Sequence, residues 1–207
     1  KDYEKFIDLF SKDDGIYKIL SLELNDKYYN NFIKVVNSKT KIEDERNYKT
    51  YDSGIFIDIF PMDFFDDLSI VEKTYKLESF KLLSFSKKEN IQYGDSKLKD
   101  FIRRFFWTVL KPVSPRYFAK KIKKIVEAKV KDSGKYLGLI GCSKWKYDDV
   151  FDYNPFEELI ELDFEDCRFF APKNYDEILK KYYGDYMEFP PVEKRVYPHE
   201  IKAYYID

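Results

Sequence analysis

The chain has 207 residues, a length that suits one generous domain or two small ones. Its 37 Lys and Arg nearly balance its 38 Asp and Glu, so the net charge of -1 argues against nucleic-acid binding through global charge. Hydrophobic residues make up 44% and aromatic residues 19%, which excludes a disordered tail or linker. The composition therefore predicts a folded, aromatic-rich domain.

Soft metal ligands and targeting signals are scarce in this sequence. Cys142, Cys167 and His199 are too few for a four-ligand structural zinc site, so we expect no zinc. There is no run of about 18 apolar residues and no secretion signal, so we expect neither a membrane span nor export. The first residue is Lys1 rather than Met.

The first half of the chain carries one clear helical pattern and one clear strand pattern. Apolar residues from Tyr3 to Phe10 recur at helical spacing, which predicts an amphipathic helix that ends by Gly15. Residues 16–36 mix short apolar runs with polar breaks and give no clear assignment. Residues 55–60 combine bulky strand formers with a single acid and end before a proline, so they predict a buried strand.

Three helices are predicted next. The first covers about 70–88, and the second shows a strong apolar stripe from Leu98 to Leu110 before Pro112. The third follows Pro115 and ends by Gly134. Core packing accounts for the apolar stripe of the second helix, so we expect the stripe to face the interior, with packing on a partner as the open alternative.

The last third of the chain predicts a pair of strands and one short helix. Residues 159–170 alternate enough for a hairpin. Asn174 and Glu177 have the spacing of a capping box, and Gly184 stands where a helix C-terminal glycine belongs, so we expect a helix over 175–183. Helices and strands alternate along the chain, which favours an α+β or α/β class.

The charges are segregated although they cancel. Residues 97–131 hold twelve Lys or Arg against two acids, whereas 148–166 hold nine acids and no base. The basic segment fits an interfacial helix that binds a membrane or a polyanion. It fits equally a pair of core-packed helices with a solvated basic face.

Asp58 is the most distinctive candidate for chemistry. Because a carboxylate among strand hydrophobes is costly to bury alone, it calls for a positive partner such as Mg²⁺. It could instead pair with a Lys or lie on the open face of a sheet. The acids Asp63, Asp66 and Asp67 follow the strand and suit a turn. His199 could contact phosphate or act as a base, or it could be structural.

Three segments in order resemble the LicD family. The first is Gly-Ile-Phe-Ile-Asp-Ile-Phe-Pro-Met-Asp over 54–63. The others are Phe-Ala-Pro-Lys-Asn-Tyr-Asp-Glu-Ile-Leu over 170–179, and Tyr-Gly-Asp-Tyr-Met over 183–187 followed by Pro190 and Pro191. LicD proteins, which have the fukutins among their relatives, are phosphorylcholine transferases. They move a phospho-alcohol from a CDP-linked donor onto a surface glycan such as lipopolysaccharide or teichoic acid.

The resemblance implies an α+β, nucleotidyltransferase-like small sheet with flanking helices. In that fold two acids on one strand and a third on a neighbouring strand hold Mg²⁺, and Asp58 matches the third. On position alone, we add Asp63 as a candidate beside the metal ligands or on the acceptor side, and His199 as a further candidate for substrate contact. From a nucleotide-linked donor and the lack of an export signal we expect a cytoplasmic protein. The basic helices 97–131 could orient it at the inner face of an anionic membrane. From the net charge we expect no nucleic-acid partner.

The sequence departs from the family pattern at its start. The family's Asp-rich block comes just before the segment matched by Asp2 to Phe6, and this chain has no residues there. We therefore expect one LicD-like domain over 1–207 that lacks its N-terminal catalytic strand, with a helical segment of about 70–131 inserted or packed on the body. If nothing precedes Lys1, we expect little or no transfer activity. The alternative is a non-enzymatic module that docks on a membrane or glycan polyanion through the basic helices 97–131.

Overall fold

The computed structural model describes residues 2–10, 15–44, 49–88, 96–143, 145–195 and 201–206. The described helices are α1 (Asp2–Phe10), α2 (Ser69–Phe85), α3 (Lys97–Leu110), α4 (Pro115–Glu127) and α5 (Tyr175–Tyr183). The strands are β1 (Tyr17–Leu20), β2 (Ile33–Asn37), β3 (Thr40–Asp44), β4 (Phe56–Ile59), β5 (Asp63–Phe65), β6 (Tyr136–Gly138), β7 (Val150–Phe151), β8 (Leu159–Phe164), β9 (Cys167–Pro172) and β10 (Ile201–Tyr205). His199 lies outside the described residues.

A three-stranded antiparallel sheet of order β1-β2-β4 forms the N-terminal half of the fold. Strand β2 lies in the middle, where its Ile33, Val35 and Val36 suit a pleated surface covered on both sides. Helix α1 buries Ile7 against Ile19 and Ile33 on one face. The other face packs against Tyr28. The amphipathic helix predicted at the start of the chain is therefore confirmed.

The prediction of a buried strand over 55–60 is wrong in one respect. Strand β4 exists, but it lies at the edge of the sheet and pairs with β2 alone among the described strands. Its Ile57 side chain is 71% exposed, and Ile55 just before it is also exposed. A continuous apolar run usually indicates a strand that is buried on both faces. In this fold, Ile55 and Ile57 remain exposed.

A second layer is built from α2, α4 and the small antiparallel sheet β5-β6-β7. Phe65, Ile70, Val71 and Ile140 form its buried core. Helix α4 is anchored to the first half of the chain by Arg116, whose guanidinium donates to the carbonyl oxygens of Asn25 and Tyr28, each at 2.6 Å. Lys120, Lys121 and Lys124 of α4 are exposed, whereas Phe118 and Ile122 are buried.

Helix α3 does not bury its apolar stripe, so the expectation that the stripe faces the core is wrong. No residue of α3 is buried, and Leu98, Phe101 and Phe105 are more than half exposed. The helix touches the body mainly through the opposite side, where Trp107 and Leu110 are half-buried. The periodicity showed that one face of the helix is apolar, but it did not determine which face the body covers.

The C-terminal part contains the hairpin of β8 and β9, helix α5, and β10, which pairs with β3. Helix α5 spans 175–183 as predicted, and Gly184 follows it with φ +68°. The capping box is wrong, because the Asn174 side chain makes no capping hydrogen bond. The mixture of helices and small antiparallel sheets confirms the α+β class. None of the described helices is long and apolar enough to cross a bilayer.

Candidate active site

Asp58 pairs with Lys34 across two neighbouring strands. The two residues lie directly opposite each other in the β2–β4 register, so their side chains leave the same face of the sheet. Lys34 Nζ donates to Asp58 Oδ1 at 2.7 Å. The Lys34 side chain is 8% exposed and that of Asp58 is 27% exposed. The structure therefore shows the Lys partner that was one of the open alternatives for Asp58.

Aromatic rings surround the ammonium group of this pair. Lys34 Nζ lies 3.1 Å from the centre of the Phe56 ring and 5.4 Å from that of Phe32. The Phe32 ring in turn packs against Phe60, with centroids 4.7 Å apart. A cation over an aromatic face gains electrostatic attraction, and more so when water is excluded. Lys34 is thus held as a cation in a largely apolar setting.

Tyr28 closes the inner side of the same region. Its side chain is fully buried, and its hydroxyl donates to the carbonyl oxygen of Phe32 at 2.9 Å. Burial is the main cause that raises the pKa of Tyr28 far above its usual range, and the negative charge of Asp58 adds to it. Tyr28 therefore stays a neutral hydroxyl at any physiological pH and acts as a hydrogen-bond donor.

Asp63 lies apart from Asp58, on the second sheet. It begins β5, opposite Gly138 of β6, and its side chain is half-buried. Burial raises the pKa of the Asp63 carboxyl. None of the described side chains donates a hydrogen bond to it. Burial is the main cause that raises the pKa of Tyr3 and of Cys142, and the charge of Asp63 adds a minor part. Asp63 is a desolvated carboxylate whose role beside the metal ligands or the acceptor stays a prediction.

The described residues hold no preformed cluster of metal ligands. Within this part of the chain, no three His, Cys, Asp or Glu residues come close enough together to hold a metal ion. The Asp58 carboxylate also forms an ion pair with Lys34. Mg²⁺ is usually held by one or two carboxylates together with phosphate oxygens and waters, in near-ideal octahedral geometry. The metal role of Asp58 therefore stays a prediction.

A groove lies at the end of α5, where the third family segment falls. It has a volume of about 440 Å³ and is lined by Asp176, Lys180, Gly184, Asp185, Tyr186 and Met187. The Tyr186 hydroxyl donates to Asp176 at 2.9 Å, and Lys180 donates to the same carboxylate at 2.7 Å. The positive φ of Gly184 lets the chain reverse direction there. Apart from Lys180, these residues belong to the segments that resemble LicD proteins, and the sequence analysis assigned no functional role to any of them.

The sequence analysis missed Lys34 and Tyr28. A usable signal was present for Lys34, because a lone base stands among strand formers in Phe-Ile-Lys-Val-Val over 32–36, as the lone Asp58 does in its own run. Two apolar runs that each carry one charged residue, of opposite sign, suit neighbouring strands in which the two charges pair. Tyr28 carried no such signal, since it lies in a loop of mixed polar and aromatic residues.

One comparison with known proteins gives a match. The protein described as "Lipopolysaccharide cholinephosphotransferase LicD", from Haemophilus influenzae, is 28% identical to this chain over 219 aligned residues. The alignment covers 99% of this chain and 77% of that relative. No protein-family profile matches the chain, and no solved structure matches it. Because the alignment runs along nearly the whole chain and includes all three segments that resemble LicD proteins, the resemblance to the LicD family is confirmed.

Proposed function

We propose that this protein transfers phosphocholine from a CDP-linked donor to a hydroxyl of a lipopolysaccharide-type glycan. The observation that carries the proposal is the near full-length match to a lipopolysaccharide cholinephosphotransferase. In this reaction a glycan hydroxyl attacks the choline-bearing phosphorus, and a new P–O bond forms. The bond from that phosphorus to the bridging oxygen breaks, CMP leaves, and the hydroxyl proton is lost to a base or to water.

Phosphoryl transfer needs positive charge near the phosphoryl oxygens and a fixed orientation of the reactants. In this chain Lys34 provides such a charge, and its environment has little water to screen it. We assign to Asp58 the task of holding the Lys34 ammonium in place, in addition to its predicted metal role. Tyr28 supports the same region through its hydrogen bond to Phe32.

The test is an assay of the native protein, expressed from its own start codon. It is incubated with CDP-choline and de-acylated lipopolysaccharide, and CMP release and the mass of the glycan are measured with and without Mg²⁺. We expect release of CMP in step with a phosphocholine mass increment on the glycan. The variant Asp58→Asn should lower the rate by about 100-fold or more, because it no longer holds in place the Lys34 ammonium that is proposed to stabilise the transition state.

The matched control is Asp163→Asn, an acid that is likewise on a strand but lies on the exposed β8. This variant should keep the full rate. Absence of CMP release from the native protein at every divalent cation tested would contradict the proposed reaction. Full activity in Asp58→Asn would contradict the role of Asp58 while leaving the reaction in place.

A further inference from the structure

Helix α3 presents an apolar row to the outside of the molecule. The row consists of Leu98, Phe101, Ile102, Phe105 and Val109, whose exposed fractions lie between 44% and 68%. At about 100° per residue, these five positions fall within less than half of the helix circumference. Five adjacent large apolar side chains form a continuous patch of the kind that marks an interaction surface.

The exposure does not come from a detached helix. The opposite side of α3 is held by Trp107, whose ring nitrogen donates to the carbonyl oxygen of Ser86 at 3.0 Å. Phe106, at the margin of the row, stacks on Phe80 of α2 with ring centroids 5.6 Å apart. These contacts fix the rotation of α3 about its axis. The apolar row points outward because the opposite side and one margin of the helix are bound to the body.

Basic residues border the row on both sides. Lys97 and Arg104 lie along one margin, and Lys99 lies along the other. The only acid of α3 is Asp100, which is half-buried on the side that faces the body. An outward apolar stripe between two basic margins matches an amphipathic helix that lies in the plane of an anionic bilayer.

A second copy of the chain suits this face less well. If two α3 helices met through the same apolar row, symmetry would place the basic margins of one copy near those of the other. Like charges brought together in this way oppose association. Anionic headgroups instead place opposite charge beside Lys97, Lys99 and Arg104 while the acyl region takes up the apolar row.

We infer that α3 is a membrane-docking helix, whose apolar row enters the interface of an anionic lipid surface. The inference concerns where the protein works and does not depend on the reaction proposed above. It also separates the two basic helices. Helix α4 buries Phe118 and Ile122 in the protein, so it contributes basic charge but no apolar insertion.

The test is co-sedimentation of the native protein with vesicles of phosphatidylglycerol and phosphatidylcholine, and with vesicles of phosphatidylcholine alone. We expect binding to the anionic vesicles that weakens as salt rises. The double variant Phe101→Gln and Phe105→Gln should weaken this binding by about tenfold or more, since it removes two inserted rings. Both positions are exposed, so the fold should persist, and circular dichroism checks this directly.

The control is the pair Phe164→Gln and Phe169→Gln on the hairpin of β8 and β9. These rings are 64% and 58% exposed, much like the α3 pair, but they lie on a hairpin where Asp163, Glu165 and Asp166 adjoin Phe164 in sequence. They should leave vesicle binding unchanged. A second readout is Phe105→Trp, whose fluorescence should shift to the blue on anionic vesicles and be quenched by brominated lipid.

Three results would overturn the inference. One is equal binding to vesicles by the native protein and the Phe101, Phe105 variant. Another is equal loss in the hairpin control, which would point to unspecific adhesion of exposed rings. The third is a native oligomer that both double variants dissociate and that does not bind vesicles, which would assign the α3 row to head-to-tail contact with the acidic hairpin of a second copy.

Discussion

Lys34 and Asp58 face each other in register on two antiparallel strands, with Nζ and Oδ1 2.7 Å apart. The ammonium is the more deeply buried partner, at 8% exposure against 27% for the carboxylate side chain. This asymmetry means that losing the acid and losing the base have different consequences. Loss of Asp58 leaves a buried cation without its counter-ion, whereas loss of Lys34 leaves a carboxylate that water can reach.

Asp58→Ala should therefore lower the free energy of unfolding by about 2 kcal/mol, less than a fully buried pair would lose because water reaches the carboxylate. Lys34→Met should cost less. The double variant Lys34→Met with Asp58→Leu should be more stable than the sum of the single effects by about 1 kcal/mol. Urea unfolding of the four proteins measures these values. Lys18→Met, at an exposed site on β1, is the control, and additive effects would contradict the coupling.

The half-buried Asp63 should give a specific pH dependence of stability. Burial raises the pKa of its carboxyl above the unfolded value. The folded state then binds more protons than the unfolded state between these two pKa values, so this contribution is present at acidic pH and is lost as the pH rises through the folded pKa. For one proton, the slope cannot exceed about 1.4 kcal/mol per pH unit.

Asp63→Asn should remove this slope and make the protein more stable than the native chain at neutral pH. At a pH below the unfolded pKa, the two proteins should unfold alike. The measurement is chemical denaturation from pH 3 to pH 8, with Asp67→Asn as a control, because hydrogen bonds from Ser69 lower the pKa of that exposed carboxyl. An unchanged pH profile in Asp63→Asn would show that burial does not control Asp63.

The glycine that opens the first family segment is required by a close backbone approach. A Cβ at Gly54 would collide with the carbonyl oxygen of Asn37 and with Thr40, both in the region between β2 and β3. Gly54→Ala should lower stability by about 2–3 kcal/mol, since backbone atoms cannot shift without disturbing the sheet. Gly141→Ala is the matched control, because its Cβ would meet only side chains at 3.6 Å or beyond. Thermal unfolding compares the two, and equal melting temperatures would contradict this reading.

The two partners of a buried ion pair on α2 should differ strongly in how much stability is lost when each is replaced. Lys81 Nζ lies 2.7 Å from Glu78 Oε1, and the Lys81 side chain is only 2% exposed. Glu78→Ala should cost about 3–5 kcal/mol, because it leaves a buried ammonium without its carboxylate. Lys81→Met should cost less, since the Glu78 side chain is the more exposed partner, at 21%. The exposed pair of Asp2 and Lys5 has the same spacing, so Asp2→Ala should leave urea unfolding unchanged.

The sequence alone determined the local elements and the resemblance to the LicD family. Helices α1 to α5 were each predicted near their observed positions, because a repeating apolar face or a proline and glycine boundary is a local property. The three motif segments identified the family for a related reason, since residue identity and order survive without knowledge of contacts. The position of Asp58 as the one acid among strand formers indicated a candidate functional residue.

Only the tertiary structure decided what those elements face. It placed β4 at a sheet edge, gave Asp58 the partner Lys34 from 24 residues upstream, and separated Asp63 onto another sheet. It also turned the apolar row of α3 outward through contacts made by Trp107 and Phe106. Periodicity reports that a face is apolar, but which surface covers that face depends on packing between distant segments, and no local pattern encodes it.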